Sequence, residues 1–540
     1  MKRILSMLIA TVMLLSYATM SLGTNVVMGD VSGDGKVTLS DVSMILKYIA
    51  KWEVTIDPAI ADVTGNGTIN LTDVSRILKY VAKWDISLTP QDKPGTTPPA
   101  DDIYEFVEAD FDKEEFKFLH YGETATDFHD RYIWSEDYSG GVIDHAVAER
   151  NRLVEDKYNV KITAEECGPA GEATIRMQAG QCDFEVIYEW GIRLKNIGVF
   201  GMLYDFNELN YISLDKSYWV PTATEGLTVA DRLFITTNMV TMNSIAWVQT
   251  YFFNKNMMDE IGYDYPYEYV QSGNWTYDVL LEMMMAAEKD VNRDGVMDKN
   301  DRYGGIDGDT VLKGVCAAPL VEDNGNGTYE FIPYTEEMVG QYSRYKSKTG
   351  NVQNMFILDY TDGEDISGFP SQYVAARYLS FGKDHTLFID GSLDMTKEFA
   401  YMKSDYGIVP PPVAKAGDEY SCGMDHFAPM FGIPIQVDDP DMTAIVFEYL
   451  AYESERFLLP SYIETTLKTK RMEDQRDYAM LDIIRNSVDY NWIELYLWDS
   501  ELSTIRHKIL TAYNGGRLES YYQKCREELA EFTQKITSLE

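Results

Sequence analysis

Two stretches near the N-terminus place oxygen-bearing side chains at the spacing that a calcium ion requires. In Asp30-Val-Ser-Gly-Asp34-Gly35-Lys-Val-Thr-Leu-Ser-Asp41 the side chains of Asp30, Ser32, Asp34, Thr38 and Asp41 stand at positions 1, 3, 5, 9 and 12. Lys36 offers its backbone carbonyl at position 7, and Gly35 allows the sharp turn at position 6. The second copy repeats this with Asp62, Thr64, Asn66, Asn70 and Asp73, the carbonyl of Thr68 and the turn at Gly67. Six to eight oxygens on a flexible loop of this length are what a hard divalent cation takes. A third acidic loop, far along the chain, has Asp290, Asn292, Asp294, Asp298 and Asp301, the carbonyl of Val296 and Gly295 in the same places. With four carboxylates against three and two, charge count ranks it the tightest of the three.

A second kind of chemistry is suggested by aromatics beside carboxylates. Sugar rings present apolar faces and hydroxyl rims, so a site for them needs flat aromatic surfaces next to acids or amides. Tyr188-Glu189-Trp190 at the end of a buried strand meets that requirement best. Trp247 and Tyr251 at an apparent crossing segment, and Asp425 within Tyr420 to His426, come next. Trp275, beside the expected helix cap Thr276, reads as structural. For catalysis there is no G-x-S-x-G elbow, no H-E-x-x-H and no phosphate-cradling glycine loop. The six histidines are scattered without metal-ligand spacing. A hydrolase would need two opposed carboxylates, and 87 acidic residues leave that alternative open.

The elements that must position these groups show the same duplication. After the two N-terminal loops, Val42, Ile45, Leu46 and Ile49, like Val74, Ile77, Leu78 and Val81, recur at i, i+3, i+4, i+7, so each loop exits into an amphipathic helix. A duplicated calcium loop with a single following helix, over roughly Val27 to Leu88, resembles the type I dockerin, a small all-α module that docks secreted proteins onto cohesin modules of a scaffold. The resemblance implies two calcium ions in this module. It also implies a cohesin-facing surface at Leu39, Ser40 and Lys47 or at the equivalent Leu71, Thr72 and Lys79.

Lys2 and Arg3 ahead of an apolar run from Ile4 to Leu15 read as a secretory signal, so residues 1–23 are expected to be removed and the protein to be secreted, extracellular or held on a cell-surface scaffold. No cysteine precedes Cys167, so no direct membrane anchor is expected; five scattered cysteines make no disulfide framework, Cys167 and Cys182 being the one pair close in sequence. A formal net charge of −40 opposes binding to nucleic acid or an anionic membrane. The expected organisation is a dockerin over residues 24–88, a Pro/Thr-rich linker over residues 89–102 and a large domain over residues 103–540. If extended, the linker reaches roughly 40 Å at about 3.1 Å per residue.

In the large region, strand-like segments (Asp183 to Tyr188, Leu233 to Thr237, Tyr406 to Val409) alternate with helical ones (Ile143 to Tyr158, Thr276 to Lys289, Met442 to Tyr452), which predicts α/β lobes on mixed sheets. Trp134-Ser-Glu-Asp-Tyr, Glu149-Arg-Asn-Arg-Leu, Tyr251-Phe-Phe-Asn-Lys-Asn, Gly273-Asn-Trp-Thr-Tyr, Ser404-Asp-Tyr-Gly-Ile-Val-Pro-Pro411 and Tyr462-Ile-Glu-Thr-Thr together resemble the extracellular solute-binding proteins of ABC importers, in the oligosaccharide-binding branch. That resemblance implies a two-lobed domain like the periplasmic binding proteins, holding an oligosaccharide in an interlobe cleft without catalysis, with an ABC importer permease as a further partner. The third loop would then hold a structural calcium in one lobe. The competing expectation is a polysaccharide-degrading enzyme, a glycoside hydrolase carrying a dockerin.

Overall fold

Helix formation in the N-terminal part follows the apolar spacing: α1 spans Leu39–Ile49, with Asp41 in its first turn and Lys47 in its last, where the helix dipole favours each charge. The computed structural model describes residues 28–32, 36–49, 54–61, 63, 69, 76–77, 80, 88, 106–121, 133–134, 141–168, 171–306, 320–325, 327–336, 338–340, 342–343, 361–367, 372–397, 399, 402–425, 427–468 and 475–539. The chain divides into two units, Met1–Glu105 and Phe106–Glu540. In the first, Val42 and Ile45 of one repeat are buried with Ala61, Val63, Ile77 and Leu88, so residues of both repeats share one small core. Tyr48 and Tyr80, which occupy the same place in the two repeats, stay exposed. The expected leader and linker lie outside the described residues.

The second unit runs through β1 (Glu114–Tyr121), α2 (Val142–Tyr158), β2 (Val160–Cys167), α3 (Glu172–Gln178), β3 (Val186–Trp190), α4 (Gly191–Val199), α5 (Asn243–Ala246) and β4 (Gln249–Asn254). It continues through α6 (Lys255–Ile261), α7 (Tyr277–Ala287), β5 (Tyr303–Ile306), a hairpin of β6 (Val321–Asp323) and β7 (Tyr329–Phe331), α8 (Gln372–Gly382), β8 (Thr386–Ser392) and β9 (Tyr406–Val409). Last come β10 (Cys422–Gly423), β11 (Pro429–Gly432), α9 (Pro440–Lys468), α10 (Gln475–Asn486), β12 (Val488–Asp489), α11 (Trp492–Tyr496), α12 (Glu501–Asn514) and α13 (Leu518–Thr537).

These strands build two separate four-stranded mixed sheets, β11-β3-β1-β2 and β5-β8-β4-β9. In the first, β1 pairs in parallel with β2 and β3, and the late strand β11 closes the edge antiparallel to β3. Helix α9 covers that sheet: Phe447 meets Phe118 and Phe431 at ring separations of 6.1 and 5.1 Å. In the second sheet β4 lies antiparallel to both β8 and β9, and β5 runs parallel to β8. The chain enters the second sheet at Gln249, returns to the first at Pro429, and goes back once more with α10, whose Asp477 accepts from the Ile408 N–H of β9 at 3.3 Å. This is the mixed α/β, two-lobed architecture that the sequence predicts.

Three local readings differ from the structure. The strand expected from Asp183 begins at Val186, because Arg176 pairs with Asp183 and Glu185 accepts the Lys117 N–H as a side-chain partner. Leu233 to Thr237 forms no strand; only Thr236 bridges to Phe431. The helix expected over Met442 to Tyr452 runs on from Pro440 to Lys468 with Pro460 inside it. Cys167 and Cys182 are free thiols, so the one pair close in sequence is unbridged. Among the described residues no helix is long and apolar enough to cross a membrane.

A buried ion pair locks α10 onto the second sheet. Lys255 Nζ lies 3.2 Å from Asp477 Oδ2, the side chains being 10% and 1% exposed, and the Tyr267 hydroxyl donates to the same carboxylate. Asp477→Ala leaves the ammonium buried without this counter-ion and is expected to cost about 3 kcal/mol in a urea unfolding curve; Lys255→Met with Asp477→Leu should recover most of it. At the start of β3, burial outweighs the Lys117 N–H bond and pushes the Glu185 carboxyl up to about 7. A raised acid pKa means that the folded state holds its proton longer, so this group's contribution is full below the ordinary glutamate range and is lost as pH rises toward 7. The melting temperature should therefore fall between pH 5 and pH 8 less steeply in Glu185→Gln than in the wild type, as read by differential scanning fluorimetry.

Candidate functional site

The carboxyl ends of parallel strands are where open α/β sheets hold ligands. In the first sheet those ends are Tyr121, Cys167 and Trp190. Trp190 closes β3 and caps α4; the half-buried residue has its ring 4.9 Å from Tyr121 and meets Phe427 edge-on at 5.4 Å, and the Arg193 guanidinium sits 4.6 Å from its centroid. The crossing segment comes close at Gly191: its N–H donates to the Ala428 carbonyl at 3.1 Å, and a Cβ there would fall 3.3 Å from that carbonyl oxygen and 2.7 Å from Leu495 Cδ1 of α11.

The crossing segments bring the other candidates to the same end. Val248 bridges antiparallel to Met424, the Asp425 N–H donates to the Trp247 carbonyl at 3.3 Å, and the Gln249 side-chain amide donates to Asp425 Oδ2 at 3.1 Å. The other Asp425 oxygen accepts the Phe427 N–H at 2.8 Å. Trp190, Trp247 and Asp425 thus lie on one strip where the two sheets join, Trp190 through Phe427 and Ala428, Trp247 through Asp425. Gln249, Phe427 and Arg193 belong to this strip and were not singled out by sequence. Phe427 lies one residue past the aromatic segment Tyr420 to His426, and Gln249 opens a strand; those positions were the available signals. His426 lies outside the described residues.

Three expected ligand residues are placed elsewhere. Tyr188 is fully buried, stacked on Phe431 at 4.8 Å with its hydroxyl bonded to Asn243, and Tyr251 is fully buried inside β4. Both strands are covered on both faces, so these rings belong to the core. Glu189 is buried too, and turns back to the start of α4, accepting the Trp190 N–H at 2.8 Å with Arg193 at 3.7 Å. Trp275 is core: its indole donates to the Pro410 carbonyl at 2.9 Å, and Thr276 caps α7. A depression of 440 Å³ lined by Arg176, Gly180, Gln181, Cys182 and Asp183 lies at the opposite end of β3 from Trp190.

The acidic loops share one device. In the first, the buried Asp41 carboxylate accepts the Ser32 N–H at 2.9 Å and the Thr38 N–H at 2.7 Å; burial opposes its charge, but these donors hold its pKa below the usual aspartate range. Ser32 Oγ also lies 3.2 Å from Asp30 Oδ1. In the distant loop, Asp301 accepts the Asp298 N–H at 2.9 Å and the Val291 N–H at 2.8 Å, and the Asp298 donor, against burial, lowers its pKa likewise. Asp290, Asn292 and Asp294 bond successive N–H groups of the turn, Gly295 has φ +81°, and the loop base closes through Lys289 and Arg302 at 3.0 Å. Among the described residues no three His, Cys, Asp or Glu side chains are gathered as metal ligands. The donor set, hard oxygens with no sulfur or imidazole, fits calcium. Asp34, Asp62, Thr64, Asn66, Thr68, Asn70 and Asp73 lie outside the described residues, as do Leu71, Thr72 and Lys79. Ser40 and Lys47 are exposed on α1, where Leu39 is the first residue.

No curated protein matches the chain at a significant level. Among solved structures, an ABC substrate-binding protein from Listeria monocytogenes in complex with cycloalternan is 13% identical over 78% of this chain and 99% of its own, with a TM-score of 0.46. The GacH receptor of Streptomyces glaucescens is 12% identical over 78% of this chain and 99% of its own, TM-score 0.45. Maltose-bound MalE3 of T. maritima is 11% identical over 77% and 99%, TM-score 0.44. Residues 28–82 match the family model described as the dockerin type I domain, so that segment of the chain is similar to type I dockerins.

Proposed function

We propose that this protein is a secreted receptor for oligosaccharide, tethered to a scaffold through cohesin and binding its solute, without chemical conversion, where the two lobes meet. The observation that carries the reading is the strip at the joined ends of the sheets. There, two half-buried tryptophans, Trp190 at the end of β3 and Trp247, accompany a carboxylate and an amide, Asp425 and Gln249, which stand on segments that cross between lobes. Aromatic faces with adjacent hydrogen-bonding groups suit a sugar ring, and crossing segments suit lobes that close over it. Closure would be driven by the greater affinity of the closed form for the solute. The solute would then pass to an importer permease of the ABC type.

The dockerin supplies the tether. Calcium in its two loops would be held by Asp30, Ser32, Asp34, Asp41 and the Lys36 carbonyl, with Thr38 at the ninth position, and by the equivalent residues of the second repeat. The ion would order the turn and fix the helix starts that present Leu39, Ser40 and Lys47 or their counterparts to cohesin. The third loop, Asp290 to Asp301, is proposed as a structural calcium site between α7 and β5, away from the solute strip.

Isothermal titration of the full-length protein with cello-, manno- and malto-oligosaccharides should give a saturable heat with at least one series and no new reducing ends. Hydrolysis without saturable binding would favour the glycoside hydrolase reading. Trp190→Ala is expected to weaken that binding by about 1–3 kcal/mol. A calcium titration should count three sites, and Asp290→Ala with Asp298→Ala should reduce the count to two with cohesin capture unchanged. Chelation of all calcium should abolish capture.

A further inference from the structure

One segment spends its polar groups in a way that neither the fold nor the tether explains. From the bridge at Thr236 into the first turn of helix α5, six side chains, Thr236, Thr237, Asn238, Thr241, Asn243 and Ser244, are each no more than 4% exposed. Each carries an enclosed polar atom with no hydrogen-bond partner among the described residues: the four hydroxyls, Asn238 Nδ2 and Asn243 Oδ1. Native proteins leave very few such groups, so six within nine residues point to partners from outside the chain.

The backbone of this ribbon is, by contrast, well held. The Thr236 N–H donates to the Phe431 carbonyl at 3.1 Å and the Met239 N–H to the Tyr218 carbonyl at 2.9 Å, and Asn238 Oδ1 accepts the Val240 N–H at 3.0 Å. The fully buried Arg150 guanidinium clamps its middle, donating to the Val240 carbonyl at 2.9 Å, to the Ile133 carbonyl at 2.7 Å and to Ser454 Oγ at 3.1 Å. At one end Thr236 is level with Phe431 and Tyr188, two residues from Trp190 along β3. At the other end α5 leads straight into Trp247 and the crossing to β4. The Trp190 indole N–H likewise has no partner among the described residues.

We infer that Thr236–Ser244 is a polar wall of the solute site, its hydroxyl and amide groups kept for the hydroxyls of a neutral polyhydroxylated ligand. The inference rests on the oligosaccharide reading above and names the surface that would confer selectivity. Threonine and serine hydroxyls both donate and accept, as a sugar rim requires, and the six side chains that carry these atoms are all uncharged, which suits a neutral solute. Their burial would make each bond count, because a ligand lacking the matching hydroxyl would leave a protein group unsatisfied.

The test uses near-isosteric removals, Thr237→Val, Thr241→Val and Ser244→Ala, in the full-length protein. A hydroxyl reserved for solute is a burden on the empty protein, so the ligand-free melting temperature should hold or rise by about 1–2 °C. Affinity for the sugar that the wild type binds should fall about fivefold or more for each variant. Unchanged affinity in all three overturns the inference and assigns the hydroxyls to internal water. A lowered melting temperature with unchanged sugar contacts by competition among ligand epimers assigns them to structure and overturns it as well. A wild type that takes no sugar of any series overturns the underlying reading and this one together.

Discussion

A single antiparallel bridge, Val248 to Met424, governs the geometry at the junction of the two sheets. From it follow the Trp247–Asp425 backbone bond, the Gln249–Asp425 side-chain bond and the run of Phe427 and Ala428 alongside Trp190 and Gly191. The outgoing segment is the start of β4, and the returning one becomes β11, so each is anchored in a different sheet. Side chains on such a pair are placed by backbone register rather than by loop conformation, and that gives an indole and a carboxylate from distant parts of the chain a fixed relation.

The acidic loops show how local chemistry recurs in unrelated settings. Asp41 lies in a duplicated module with a small core, Asp301 between a helix and a strand of a large lobe, yet each twelfth-position carboxylate spans its loop by accepting two backbone N–H groups. Both are buried, and both have lowered pKa values. The shared geometry follows from the loop length, since a short acid at that position is the group that can reach back across the turn.

Legibility in the sequence tracked how local each determinant is. The stripe through Val42 and Ile45, the cap at Thr276 and the strand Tyr406 to Val409 are each settled within a dozen residues, and composition and spacing revealed them. Tyr188 and Tyr251 were misplaced because a strand buried on both faces has no alternation to separate core from cleft. Thr236 and Thr237 were read as the end of a strand and the residues up to Ser244 were not singled out; their setting depends on Phe431 of β11 and, through Arg150, on Ser454 of α9, which arrive some two hundred residues later. Trp190 and Trp247 were visible as residue types; their association needed the long-range bridge.

Neither lobe is continuous along the chain. The first sheet lacks its edge strand β11, the second neighbour of β3, until Pro429 to Gly432 is made, and the second lacks the α10 clamp until Asp477 is made. A nascent chain therefore cannot finish either body before most of its length has emerged, and its assembly depends on closures over large sequence separations, which are slow. The weave that sets the crossing register thus also delays compaction until the last quarter of the chain is available.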